Sequence, residues 1–274
     1  MQSEYRLKNL EKIKDYEKTG LWDIDVEDDP PSPVLLPNKV DYLRKCPFSK
    51  IKTSIANRMA IKFYEGLMKK GQFIIKEVKG LENYDAVQGG AILTCNHFSI
   101  LDNYAIFYPI KKRLCKSHLY KVIREGNYTG FKGTYGFFFR NCNTLPLSSN
   151  VDTMKKFLSA TGTLLERGEK ILIFPEQAMW WNYRKPRPLK DGAFKLAAKH
   201  NSPVIPCFIT MEDTETLDGD GFPVQAYTVW YLPAIYPKKE FSLKENINYL
   251  KEENFKAWQK VYEDFYKIPL KYGE

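Results

Sequence analysis

His97 and Asp102 stand five positions apart, just past the apolar run Gly90-Ala91-Ile92-Leu93-Thr94, and their types and spacing could do acid–base chemistry. On a regular helix the side-chain neighbours are three or four residues apart, so a five-residue offset aligns nothing there. A histidine in a strand-to-helix turn, with the carboxylate in the first helical turn, is a different case. The carboxylate then reaches back to one ring nitrogen and fixes the tautomer, and the other nitrogen can take a proton from a hydroxyl. The same spacing suits a structural histidine satisfied by a neighbouring carboxylate, so the pair needs support from elsewhere in the chain.

The elements that must position the pair are readable from periodicity. The run 90–94 reads as a buried strand and 99–110 as a helix opened by Ser99. Further strands are expected at 73–78, 119–123, 144–147, 170–174, 204–209 and 228–232, and helices at 149–168, 193–200 and from the capping box Ser242-Leu243-Lys244-Glu245 onward. This alternation predicts a single α/β domain, with a largely parallel or mixed central sheet flanked by helices, plus an N-terminal helical appendage.

The division falls near residue 71, with 72–274 as the α/β domain. Within 1–71, a charged segment is expected to form an exposed helix up to Gly20 that offers little to a core. An acidic, proline-rich connector, 22–37, then reads as a tether or a strap over the surface. Ser49 is placed to cap a helix running to Gly71. In it Ile51, Ile55, Met59, Phe63 and Leu67 recur every four residues among lysines and arginines. Such a basic amphipathic helix suits a membrane interface and packing on the domain equally well.

A formal net charge of +9 calls for an acidic partner: an anionic membrane surface, a phosphorylated small molecule, an acidic carrier protein or nucleic acid. No nucleic-acid module signature occurs, so no nucleic acid is expected. Cysteines 46, 95, 115, 142 and 207 form no Cys-x-x-Cys, and histidines 97, 118 and 200 no ligand cluster. A reducing compartment fits, and no metal is expected. The charged N-terminus predicts no signal peptide. No apolar run approaches the ~18–20 residues of a transmembrane helix, so a cytoplasmic, peripherally membrane-associated protein is expected.

A second strand end stands out, Phe174-Pro175-Glu176. Ligands gather at the carboxyl ends of strands in open α/β sheets, so it and Asn96-His97 are expected to face one crevice. With both in view, the chain resembles the glycerolipid acyltransferases, the group that includes lysophosphatidic acid acyltransferase. Asn96-His97-Phe98-Ser99-Ile100-Leu101-Asp102 matches their N-H-x-x-x-x-D block, and Phe174-Pro175-Glu176 opens their F-P-E-G-T-R block. Leu189-Lys190-Asp191-Gly192-Ala193-Phe194 is similar to their F-K-x-G-A-F, and Val204-Ile205-Pro206 to their proline-bearing strand.

Two departures bear on the acceptor. The third block continues Gln177-Ala178-Met179, so the family's Gly-Thr-Arg is absent, with the arginine that helps hold a phosphate. Arg184, Lys185, Arg187 and Lys190 follow closely and could supply the charge, or form a solvated basic loop. The middle arginine block is either Gly136-Phe137-Phe138-Phe139-Arg140, with Arg140 on the phosphate, or Asn143 to Ser149, with Ser149 where arginine should stand.

The resemblance implies transfer of a fatty acyl group from acyl-coenzyme A or acyl carrier protein to a lysophospholipid hydroxyl, 1-acylglycerol-3-phosphate foremost, with no bound cofactor. It implies His97 as general base, Asp102 as its orienter, and Asn96, Ser99, Arg140, Glu176, Gln177, Arg184, Arg187 and Lys190 around the substrates. An acyltransferase for a different lysolipid or alcohol acceptor stays open, and so do two readings outside the family. A thiol hydrolase would use Cys95 with His97, although adjacent strand residues point to opposite faces. The other is a non-enzymatic basic lipid-binding protein.

Overall fold

The run expected to lead into the His–Asp pair is a strand buried throughout its length, and it lies inside a seven-stranded sheet in the computed structural model, which describes residues 2–28, 31–114 and 117–273. Cys115, and Asp29 and Pro30 of the connector, lie outside the described residues. The strands are β1 (Ile74–Lys79), β2 (Ala91–Thr94), β3 (Leu119–Ile123), β4 (Thr144–Pro146), β5 (Lys170–Ile173), β6 (Val204–Leu217) and β7 (Pro223–Tyr231). They are ordered β1-β7-β6-β2-β5-β3-β4. The five from β6 to β4 run parallel; β7 is antiparallel to β6 and carries β1 parallel to itself. The sheet is therefore mixed, in a single α/β domain.

The helices are α1 (Glu4–Thr19), α2 (Pro47–Lys69), α3 (Leu81–Asp85), α4 (Asp102–Ile110), α5 (Glu125–Thr129), α6 (Gly133–Asn141), α7 (Val151–Glu166), α8 (Gly192–Lys199) and α9 (Leu243–Tyr266). They cover both faces of the sheet. Leu93, Leu172 and Ile205, on one rung, pack with α4 and the inner side of α2. Ile92, Ile171 and Val204, on the rung before, pack with α7, α8 and Leu250 of α9. Strands buried on both faces read as continuous apolar runs, which is why these were visible in the sequence. Two helix starts follow their capping residues: Asn150 Oδ1 accepts from the amides of Asp152 and Thr153, and Ser242 with Glu245 closes a capping box ahead of α9.

Several expectations change. α2 starts at Pro47, two residues before Ser49, and α4 at Asp102, not Ser99. The segment 128–141, assigned no element, holds the end of α5 and all of α6. α1 does contribute to a core: Ile13, with Val26 of the connector, packs on Ala178 and Trp180. The four-residue ridge of α2 is not its inner face, since each such step turns about 40° around the helix and the ridge winds away. Leu67 joins Ile61, Tyr64 and Met68 on the core, while Ile51, Ile55, Met59 and Phe63 stay exposed.

Candidate active site

β2 ends at Thr94 and its pairing with β6 at Pro206, whose nitrogen has no hydrogen to donate. Asn96 takes over from there: its Oδ1 accepts from Ile209 N at 2.9 Å and its Nδ2 donates to Ile209 O at 3.0 Å. The buried amide thus acts as a further rung and fixes where the chain leaves the sheet. His97 is the next residue.

Asp102 is fully buried at the first position of α4. One oxygen, Oδ2, lies 2.7 Å from His97 Nδ1 and also accepts from the amides of Phe98 and Ser99 at 3.3 and 3.4 Å. Asn103 Nδ2 donates to Oδ1 at 3.3 Å. An ionised carboxylate only accepts, so Nδ1 carries the ring proton and Nε2 the lone pair. The imidazole is 20% exposed against 0% for its carboxylate, so the ring can be reached from outside and the carboxylate cannot. One face of the ring stacks on Phe174, centroids 4.2 Å apart. Ser99 holds the turn between the two residues, its Oγ accepting from Leu101 N at 3.2 Å and its carbonyl from Asp102 N at 3.3 Å.

The second strand end does meet the first. Glu176 Oε2 accepts from His97 N at 3.0 Å and from Arg187 Nη2 at 2.9 Å, while Oε1 accepts from Arg187 N at 2.8 Å. Glu176 is 2% and Arg187 0% exposed, so both bind protein groups in the interior. Gln177 is exposed at φ 66°, a left-handed conformation natural to the glycine that the resemblance expects there.

The cations of the basic loop are paired with carboxylates, while the side chains of Arg184 and Lys190 stay 38 and 45% exposed. Arg184 pairs with Asp213 at 2.7 Å, Lys185 with Glu17 at 2.6 Å and Lys190 with Asp23 at 2.8 Å. Two of these three carboxylates come from the N-terminal segment. Arg140 is likewise engaged, donating to the carbonyls of Tyr128 and Phe131 at 3.3 and 2.9 Å and so tying α6 to the end of α5.

The sequence marks Phe174 as the start of the second strand end but not that its ring stacks on His97, and it gives Lys121 no role. Lys121 sits in β3 opposite Leu172, and its ammonium lies 5.7 Å from the Phe107 ring of α4 and 3.1 Å from Cys142 O, with burial pulling its pKa down. A lysine inside an otherwise apolar strand was the available signal. Cys95 is fully buried on the α4 face, with its thiol pKa pushed up by burial, an inert setting that speaks against the hydrolase reading. Among the described residues no three His, Cys, Asp or Glu side chains gather as metal ligands would.

Residues 76–210 match the family model described as Acyltransferase. Over 139 residues, 49% of this chain and 37% of that protein, the sequence is 28% identical to the chloroplastic 1-acyl-sn-glycerol-3-phosphate acyltransferase BAT2 of Brassica napus. The chain thus spans a little over a third of that relative's length. The crystal structure of the 1-acyl-sn-glycerophosphate acyltransferase PlsC from Thermotoga maritima superposes with a TM-score of 0.55 over 82% of this chain and 89% of that one, at 18% identity, a likeness of fold.

Proposed function

We propose, from the match of residues 76–210 to the Acyltransferase family model, that the chain moves a fatty acyl group from the thioester of coenzyme A or acyl carrier protein to the hydroxyl of a lysophospholipid, 1-acylglycerol-3-phosphate foremost. The observation that carries this reading is the His97–Asp102 pair, a 2.7 Å contact with the carboxylate dry and the imidazole accessible. Nε2 takes the proton as the acceptor oxygen attacks the thioester carbonyl. The tetrahedral oxyanion collapses, the carbon–sulfur bond breaks, and the thiolate recovers the proton from the imidazolium, leaving an ester and a thiol.

The deciding experiment follows thiol release from long-chain acyl donors with a panel of lysolipids. Release that requires an acceptor, and is fastest with lysophosphatidic acid, is expected. Acceptor-independent release means a thioesterase. No release with either carrier, alongside binding to liposomes, means a lipid-binding protein.

The lipid substrates are met at a membrane surface through α2. Phe48, Ile51, Ile55 and Met59 are 73, 57, 48 and 44% exposed along it, beside Lys50, Lys52, Arg58 and Lys62. No described helix is long and apolar enough to cross a membrane, and this one is amphipathic. It adjoins the catalytic helix, Tyr64 stacking on Tyr104 of α4 with centroids 4.4 Å apart. Ile51→Asn with Ile55→Asn removes about 2–3 kcal/mol of apolar insertion. A fall of at least about tenfold in partitioning to anionic vesicles is therefore expected in co-sedimentation, with the melting temperature unchanged because neither side chain packs on the domain. Unaltered partitioning would remove α2 from the membrane contact.

A further inference from the structure

Arg187 is where three parts of the chain converge. Its Nη2 reaches Glu176 Oε2 at 2.9 Å, His97 O at 3.3 Å and the carbonyl of Ala178, and its Nη1 donates to Trp22 O at 3.0 Å. The guanidinium lies 4.6 Å over the ring of Trp180, which is itself stacked on Trp22 with centroids 5.7 Å apart. The loop bonds residue 97 directly as well, Trp180 N donating to His97 O at 3.1 Å while His97 N donates to Glu176. Both backbone groups of the histidine are thus held by the 176–187 loop, and the guanidinium holds that loop to the N-terminal segment.

Stability alone accounts poorly for this arrangement. A buried ion pair is often no more stabilising than an apolar pair of the same volume, and here Arg187 Nε is buried with no acceptor at all, a further cost. What a planar guanidinium offers, and a hydrophobic side chain does not, is fixed directions to several oxygens at once.

Resting on the acyltransferase reading, we propose that Arg187 is a positioning residue. By joining the Glu176 carboxylate to the carbonyls of His97 and Trp22 it fixes the backbone of residue 97, and with it the place of the imidazole. The positive charge that follows Glu176 in this chain faces inward and sets the base; it does not hold the acceptor's phosphate. Residues of the N-terminal segment enter catalysis through it.

The test compares Arg187→Met, Arg187→Lys and the double variant Arg187→Met/Glu176→Gln with the wild type. A base displaced by about an ångström loses about a hundredfold in rate. Arg187→Met is therefore expected to lower kcat by at least about thirtyfold, with KM for donor and acceptor within about twofold. Arg187→Lys, able to meet Glu176 and one carbonyl, recovers part of that loss. The double variant has no uncompensated carboxylate, so it regains melting temperature while kcat stays low.

Recovery of kcat together with stability in the double variant would reduce Arg187 to a neutralising charge and overturn the proposal. Wild-type kcat in a folded Arg187→Met or Arg187→Lys would overturn it too, and so would a raised KM at unchanged kcat, which marks a substrate ligand. Hydrogen exchange of the 95–102 backbone supplies a readout that needs no activity. Faster exchange there in the folded variants, with β5 and α7 unaffected, is expected, and unchanged protection refutes the inference. If the wild type transfers no acyl group the functional reading fails, while this arm still decides whether Arg187 holds residue 97.

Discussion

Replacing His97 by alanine is expected to lower kcat for acceptor-dependent thiol release by about 10³-fold, about 4 kcal/mol of transition-state stabilisation, with little change in KM. A hydroxyl is a poor nucleophile until its proton leaves, and in the proposed reaction the imidazole that Asp102 holds takes it. Substrate binding owes little to a ring with 20% of its surface exposed, so the loss falls on the chemical step. The variant also forfeits the stacking on Phe174, a loss of about 1 kcal/mol. A thermal melt separates that change from unfolding. Retention of more than about a tenth of wild-type kcat would mean that the proton goes elsewhere, and His97 would then be a structural histidine satisfied by its carboxylate.

The parts of this architecture legible in the sequence are those governed by strong local rules. β2 and β5 are unbroken apolar runs because both their faces are covered, and His97 and Glu176, each three residues past a strand end, meet because a parallel sheet presents its carboxyl ends together. The starts of α7 and α9 were visible through Asn150 and the Ser242–Glu245 box. Where the reading failed, tertiary context had taken over a residue with a plausible local role. Ser99 has a capping side chain, yet its hydroxyl serves the turn before α4, and the Asp102 carboxylate takes the amides of Phe98 and Ser99.

α1 shows only Leu10, Ile13 and Tyr16 on one side, too thin a stripe to announce a core, and its partner Trp180 lies far along the chain in a loop. Long-range ion pairs explain the basic loop in the same way. Lys185 and Lys190 are matched by Glu17 and Asp23, more than 160 residues away, and no periodicity links them. The acidic connector, expected as a tether or a strap over the surface, is in part the counter-charge of that loop.

Asp102→Asn is expected to lower kcat by about 10²–10⁴-fold while leaving the fold nearly intact. The amide oxygen can stand where Oδ2 stands and still accept from His97 Nδ1 and from the amides of Phe98 and Ser99, so the tautomer and the turn survive. Its nitrogen then faces Asn103 Nδ2, donor to donor, a mismatch worth about 1 kcal/mol that Asn103 can relieve by turning away. What the amide lacks is charge. As the proton leaves the acceptor hydroxyl, an imidazolium forms beside a site with 0% exposure, where water cannot screen or replace the missing carboxylate. Because the two residues act as a unit, Asp102→Asn placed on top of His97→Ala should cost almost nothing more. A further loss in that double variant would give the carboxylate a role independent of the histidine. A single variant that keeps near-wild-type kcat would make Asp102 a brace of the turn and no part of the proton transfer.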